Sequence, residues 1–204
     1  MIGIIDYNTG NLGSIKNMLD RLGFDNAIIS DPAEIDQASK LILPGVGAFD
    51  VGMNSLQNGG WIAPLHKKVL KDKIPILGIC LGMQLMTLQS EEGTGKGLGW
   101  INARTKKFNF ADTTLKVPHM GWNLVRIQSP SPLQQELDKL DEIKFYFVHS
   151  YFVLPEDSSN TIYSCHYGQD FCAAFQAGNV MGVQFHPEKS HKFGLKLLNN
   201  FASL

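Results

Sequence analysis

The segment Gly78-Ile79-Cys80-Leu81-Gly82-Met83-Gln84 follows the apolar run Ile74-Pro75-Ile76-Leu77 and opens a stretch that reads as helix. A cysteine between two close glycines, at a strand-to-helix corner, is how α/β enzymes expose a nucleophile. The glycines permit a sharp turn that a Cβ would block. The helix start supplies unpaired N–H groups and positive partial charge, both of which favour thiolate. Far downstream, Gln184-Phe185-His186-Pro187-Glu188 closes a second apolar run. Pro187 restricts the backbone between imidazole and carboxylate, and the i, i+2 spacing lets both side chains point to one side of an extended segment. Glu188 then accepts from one imidazole nitrogen while the other faces Cys80. Nucleophile, base and orienting acid are the parts of an acyl-transfer triad.

Two further segments carry chemistry-bearing residues. Pro44-Gly45-Val46-Gly47, after the strand-like Lys40 to Leu43, can form a turn whose N–H groups converge on one spot, as an oxyanion hole requires. Pro118-His119-Met120-Gly121-Trp122-Asn123 and Val148-His149-Ser150-Tyr151 each set a histidine beside aromatic and small residues. A lone histidine near a strand is more often structural than catalytic, and both readings stand for His119 and His149.

The elements that must position these residues change character along the chain. In the first half, short apolar runs (Ile2 to Ile5, Ala27 to Ile29, Lys40 to Leu43, Ile74 to Ile79) alternate with helical stretches. Leu12, Ile15, Leu19 and Leu22 keep helical spacing up to Gly23, and a second helix runs from about Trp61 to Lys71. Such alternation implies a central, mostly parallel sheet flanked by helices, an α/β fold. From Leu98 to Val125 the chain becomes strand-like and irregular. Lys144 to Val148, Thr161 to Ser164, Phe171 to Gln176 and Val180 to Phe185 are closely spaced strands that predict an antiparallel or mixed extension of the same sheet. A last helix presents Phe193, Leu197 and Phe201 on one face.

At 204 residues, 44% hydrophobic and 18% charged, the chain has ordinary globular composition and no linker or repeat to divide it. A formal net charge of −1 argues against a chain built mainly to bind nucleic acid or an anionic membrane. The cysteines Cys80, Cys165 and Cys172 are odd in number and form no C-x-x-C pair, so neither a disulfide framework nor a metal site is expected. Cys165 and Cys172 read as buried strand residues. With no apolar run near the ~18–20 residues of a membrane span, and no basic region before the first strand, a cytoplasmic protein is expected.

Taken in order, Pro44 to Gly47, Gly78 to Gln84 and Gln184 to Glu188 resemble the motifs of class I, triad-type glutamine amidotransferases, and the likeness covers essentially residues 1–204 as one glutaminase domain. Within that class, Asp6 to Asn11, Leu43 to Phe49, Ser90-Glu91-Glu92-Gly93, Pro118 to Asn123, Phe145 to Tyr151 and His186 to Ser190 look like the glutaminase subunits of imidazole glycerol phosphate synthases. The resemblance implies that Cys80 attacks the side-chain amide of L-glutamine, that His186 protonates the departing ammonia and then activates water, and that Glu188 orients His186. It assigns the oxyanion hole to backbone N–H groups of Val46, Gly47 and Leu81. Glutamine binding falls to Gly45, Gln84 and Glu92 and to the His149, Ser150 and Tyr151 backbone. No cofactor is implied. The implied partner is a TIM-barrel cyclase in a heterodimer, expected as a separate chain because nothing after Leu204 is left for it. Asn11, Met120, Trp122 and Lys189 match interface or channel-mouth positions. The cyclase would use the ammonia to form imidazole glycerol phosphate and an aminoimidazole carboxamide ribotide, in histidine biosynthesis. Trp100 in Gly97 to Ala103, and Ser190-His191-Lys192-Phe193-Gly194, depart from that pattern. They look like a paralogous branch supplying ammonia for amidino sugars of surface polysaccharides.

Overall fold

The computed structural model describes residues 1–110 and 115–204; the part of the irregular Leu98 to Val125 stretch at 111–114 lies outside them. The first half forms β1 (Ile2–Ile5), α1 (Leu12–Leu22), β2 (Asn26–Ile29), β3 (Lys40–Gly45), α2 (Phe49–Asn58), α3 (Ile62–His66), β4 (Ile76–Cys80) and α4 (Leu81–Leu85). The second half forms β5 (Gln89–Ser90), β6 (Ala103–Lys107), β7 (His119–Ile127), β8 (Ile143–His149), β9 (Tyr151–Pro155), β10 (Thr161–Tyr167), β11 (Gln169–Ala177), β12 (Val180–Val183) and α5 (His191–Ala202). One sheet runs β2-β1-β3-β4-β12-β11-β10-β7-β8, parallel from β2 to β12 and antiparallel beyond. At β11 it forks, because β9 also pairs there and carries β6 and β5. The mixed α/β architecture expected from the sequence is therefore present, with the fork added.

Strand alternation builds the two cores. Ile4, Ile42, Leu77 and Ile79 face one layer with Ile15 and Leu19 of α1 and Phe193, Leu197 and Phe201 of α5. Ile5, Leu41, Leu43 and Ile76 face the other, against Phe49 and Leu56 of α2, Leu65 of α3 and Leu81 of α4. A parallel sheet covered on both faces needs apolar residues at odd and even positions alike, and the burial of every residue in β1 and β4 meets that need. Gly23 ends α1 in the left-handed region at φ 80°, where the Phe24 N–H reaches the Leu19 carbonyl.

Three local expectations are revised. Residues 49–58 form a helix, α2, that the sequence reading passed over, since Gly52 interrupts its pattern. That glycine sits where a Cβ would press on Leu81 and Leu85 at 3.1 Å. The Trp61 to Lys71 helix divides into α3 and a π-helical turn over Lys67–Lys71. At the corner between β4 and α4, the left-handed residue is Cys80 itself, at φ 53°, and the glycines serve close approach instead. A Cβ on Gly82 would overlap the Leu43 carbonyl oxygen, and one on Gly78 would lie 2.7 Å from the Met83 nitrogen. Gly82→Ala must push α4 off β3, against backbone that cannot yield. It is expected to cost at least ~3 kcal/mol in denaturant unfolding, or to prevent folding.

Candidate active site

Cys80 and His186 stand at the carboxyl ends of neighbouring parallel strands. Gly45 of β3 pairs with Cys80 of β4, and Ile79 pairs with Val183 of β12, just before Gln184 to His186. The crevice outside the carboxyl ends of an open α/β sheet is where such folds bind ligands. The His186 backbone is clamped to β8. Its N–H donates to the Tyr146 carbonyl at 2.9 Å, and the Ser190 hydroxyl donates to the His186 carbonyl at 2.6 Å while accepting from the Tyr146 N–H at 3.0 Å.

Nδ1 of His186 lies 2.8 Å from Oε1 of Glu188, with side-chain exposures of only 2% and 3%. The route to this contact differs from the extended segment expected, because Pro187–Lys189 is a single 3-10 turn that folds Glu188 back under the imidazole. Nε2 of His186 has no hydrogen-bond partner in the protein. Burial pulls the imidazole down, but Cys80 and Glu188 outweigh it and raise its pKa to about 10.

A cavity of about 380 Å³ opens above the thiol, of a size for a small polar ligand. Val46, Gly47, Leu81, Gln84 and Glu92 line it together with Cys80 and His186; His149, Ser150 and Tyr151 close the opposite side. These last three occupy the bend where the chain leaves β8 in one arm of the fork and enters β9 in the other. Pro118 and Val148 also line the cavity. Gly45 does not. It is buried in β3, where a Cβ would overlap the Tyr7 hydroxyl. Glu92 is held by the start of α2: the Phe49 N–H donates to its Oε2 at 2.8 Å. Asp50 fixes the following loop by accepting from the N–H groups of Thr94 and Gly95.

The Val46 peptide is the main departure from expectation. Its N–H donates to Thr9 Oγ1 at 3.2 Å, and the Thr9 hydroxyl donates to the Val46 carbonyl at 2.6 Å. As folded, this donor is committed to Thr9. Gly47 holds the turn at φ 104°. Thr9 lies in the Asp6 to Asn11 segment, but no spacing gives it this partner, because the contact arises from the loop after β1 meeting the end of β3.

His119 and His149 are buried together, and neither is beside the thiol as a base. His149 Nδ1 donates to the Tyr151 carbonyl (2.7 Å), so its Nε2 accepts from His119 Nδ1 (3.0 Å), whose Nε2 accepts from Asn123 Nδ2 (3.2 Å). Burial lowers His149 to about 3, with His119 adding to the shift, and lowers His119 to about 4. The remaining predicted positions lie outside the cavity. Asn11, Met120, Trp122 and Lys189 are exposed, with Met120 at 62% and Trp122 at 44%. Lys189 Nζ lies over the Tyr146 ring at 5.7 Å. Trp100 is a core residue beside His66. Cys165 and Cys172 are buried, their thiols pushed up to about 12 by desolvation. Among the described residues, no cluster suited to a metal ion occurs and no helix is long and apolar enough to cross a membrane.

A cysteine at a strand-to-helix corner, a histidine after the adjacent strand and a mixed sheet outline a class, α/β proteins that carry the parts for acyl transfer. Within it, the description glutamine amidotransferase class-I matches residues 3–203, and the chain belongs to that family. It is a glutamine amidotransferase, 54% identical over 201 residues, and 98% of both chains, to imidazole glycerol phosphate synthase subunit HisH 2 of Methanococcus maripaludis. It is 48% identical to the subunit HisH 2 of Pseudomonas aeruginosa and 46% identical to the subunit HisH of Leptospira borgpetersenii, each over the full length of both chains. Among solved structures, PurLQS from Thermotoga maritima superposes with a TM-score of 0.75 at 17% identity, covering 99% of this chain and 97% of that one.

The histidines set a pH prediction. His119 and His149 are neutral in the fold, with pKa values below the unfolded one, so their contribution is complete above about pH 6.5 and is lost as pH falls towards 4 and 3. His186, raised to about 10, contributes fully below about 6.5 and loses that contribution as pH rises to 10. Denaturant midpoints measured against pH should therefore fall on both sides, and His186→Gln should flatten only the alkaline limb.

Proposed function

We propose that this chain is the glutaminase subunit of an imidazole glycerol phosphate synthase, hydrolysing L-glutamine and passing the ammonia to a separate TIM-barrel cyclase. The observation that carries the reading is Cys80, in left-handed conformation at the corner, with the buried His186–Glu188 pair across from it. The names of the full-length relatives support the pathway.

In this reading Cys80 Sγ attacks the amide carbon of glutamine. His186 donates its Nε2 proton to the leaving nitrogen as the C–N bond breaks, leaving a thioester and free ammonia. His186, now neutral, takes a proton from water, the hydroxide adds to the thioester, and thiolate departs with glutamate formed. Glu188 holds the imidazole tautomer and stabilises the imidazolium. Gln84 has both Nε2 hydrogens committed, to the Tyr151 carbonyl and to Gln184 Oε1, each at 3.1 Å. It therefore offers substrate an acceptor oxygen, which suits the α-ammonium group, as does the Glu92 carboxylate. Ammonia is largely protonated at neutral pH, which is the reason to pass it directly to the cyclase. Exposed Met120 and Trp122 on β7, with Asn11 and Lys189, supply the docking face.

A second reading, ammonia supply for amidino sugars, has one observation in its favour. His191, in the divergent Ser190 to Gly194 segment, takes φ 46° and stacks parallel on Trp122 at 5.5 Å, altering the docking face. Assay of the chain with each type of synthase decides between them.

Cys80→Ala should abolish glutamine-dependent synthesis while the partnered enzyme still works with ammonium salt at alkaline pH. Glutamine hydrolysis by that variant at near wild-type rate would sink the assignment. Because Thr9 occupies the Val46 N–H, the lone chain should hydrolyse glutamine slowly. One missing oxyanion donor is worth roughly 10²–10³ in rate. Binding of cyclase with its acceptor should raise steady-state hydrolysis by that order.

A further inference from the structure

Gln184 is fully buried beside the catalytic thiol, and no role in the reaction has been given to it. Its Nε2 lies 3.7 Å from Cys80 Sγ, within hydrogen-bond range for sulfur, and its Oε1 accepts from Gln84 Nε2 at 3.1 Å. We infer that Gln184 is a thiolate-stabilising residue, its side-chain N–H aimed at Cys80 by a hydrogen-bond chain whose direction is set by the Tyr151 carbonyl. This inference rests on the reading of Cys80 as nucleophile.

An amide side chain can usually be turned over, exchanging donor for acceptor. Here the exchange is blocked step by step. The Tyr151 carbonyl is backbone and only accepts, so the group of Gln84 that meets it at 3.1 Å must be Nε2. The second hydrogen of that nitrogen then points at Gln184, which must answer with Oε1. Gln184 Nε2 is left facing sulfur. Turning Gln184 over would set an acceptor oxygen against a thiolate and two N–H groups against each other, with all three groups out of water. The other side of the Tyr151 carbonyl is held by the His149–His119–Asn123 chain, whose histidines stay neutral and therefore keep their single donor direction.

The opposite partner of the sulfur is the Val148 carbonyl, at 3.9 Å, which favours the thiol. A buried thiolate in a cavity has few donors. An amide N–H in this position stabilises the charged form and restrains Sγ for attack, without competing with His186 for a proton. A polar residue at this depth carries a desolvation cost that an apolar strand residue would avoid, and the contact with sulfur gives it a function.

Gln184→Met keeps the length and bulk and removes the donor. The titratable groups around the sulfur are His186 with Glu188 from the turn after β12, His149 at the end of β8, Tyr7 after β1 and Glu92 on the cavity wall; all are retained in the variant. Alkylation of Cys80 by iodoacetamide, measured against pH on the full chain, should show its midpoint raised by about one unit, and partnered glutaminase kcat should fall about tenfold with KM within about twofold. An unchanged midpoint in a folded variant would overturn the inference, even if Cys80→Ala abolishes activity as proposed above. Should Gln184→Met fail to fold, the wild-type chain suffices. The Gln184 side-chain N–H resonances, assigned by through-bond spectra, should shift with the same midpoint as Cys80 alkylation. Resonances that ignore that titration would equally overturn it.

Discussion

The contact on which the site depends is that of α4 with β3. Gly82 lies so close to the Leu43 carbonyl that no other residue type fits between them. That contact brings the first turn of α4 down onto the sheet, and Cys80 must then take a left-handed backbone to join β4 to the helix. A non-glycine residue there costs energy that the surrounding packing has to offset, and such strain concentrates at functional positions. It lifts Sγ out of the strand plane and into the crevice. The neighbouring strand ends are brought to the same spot by register: β3 delivers Val46 and Gly47, and β12 delivers Gln184 and His186.

The fork in the sheet serves the same crevice from the other side. The chain leaves one arm at His149 and joins the other at Tyr151, so Ser150 spans the gap and its flanking backbone forms the cavity wall. A bend of this kind exposes carbonyls that neither arm pairs. The Tyr151 carbonyl is answered twice, by Gln84 and by His149, and so becomes the fixed point for side chains running both to the sulfur and outward to β7. Buried polar groups are tolerable where each finds a partner, and such a network holds one arrangement because any reversal leaves a donor facing a donor.

The two departures from the histidine-pathway pattern differ in their structural meaning. Trp100 packs into the core beside His66 and Met86 and does not touch the cavity. His191 reaches the surface and stacks on Trp122. Variation in the first alters packing under α4, whereas variation in the second alters the exposed surface around Trp122. Only His191 therefore reaches the face proposed for docking.

The Cys80 corner and the His186–Glu188 pair were legible in the sequence because each belongs to a short local motif: a glycine-flanked corner, and a histidine and a glutamate separated by proline. Strand–helix alternation likewise disclosed the parallel half, since burial on both faces leaves uninterrupted apolar runs. Gln184 and Thr9 lay inside segments that carry the resemblance, Gln184 to Glu188 and Asp6 to Asn11, but nothing in either segment says which group its side chain meets. What the chain order could not contain was the meeting of distant segments. Thr9 holding the Val46 N–H, the direction of the amides from Tyr151 to Cys80, the fork at β11 and the 3-10 turn that places Glu188 beneath His186 are products of tertiary packing. Local motifs depend on short-range backbone geometry, which sequence determines directly. Hydrogen-bond direction depends on which buried groups face each other, and that is decided only when the sheet has closed.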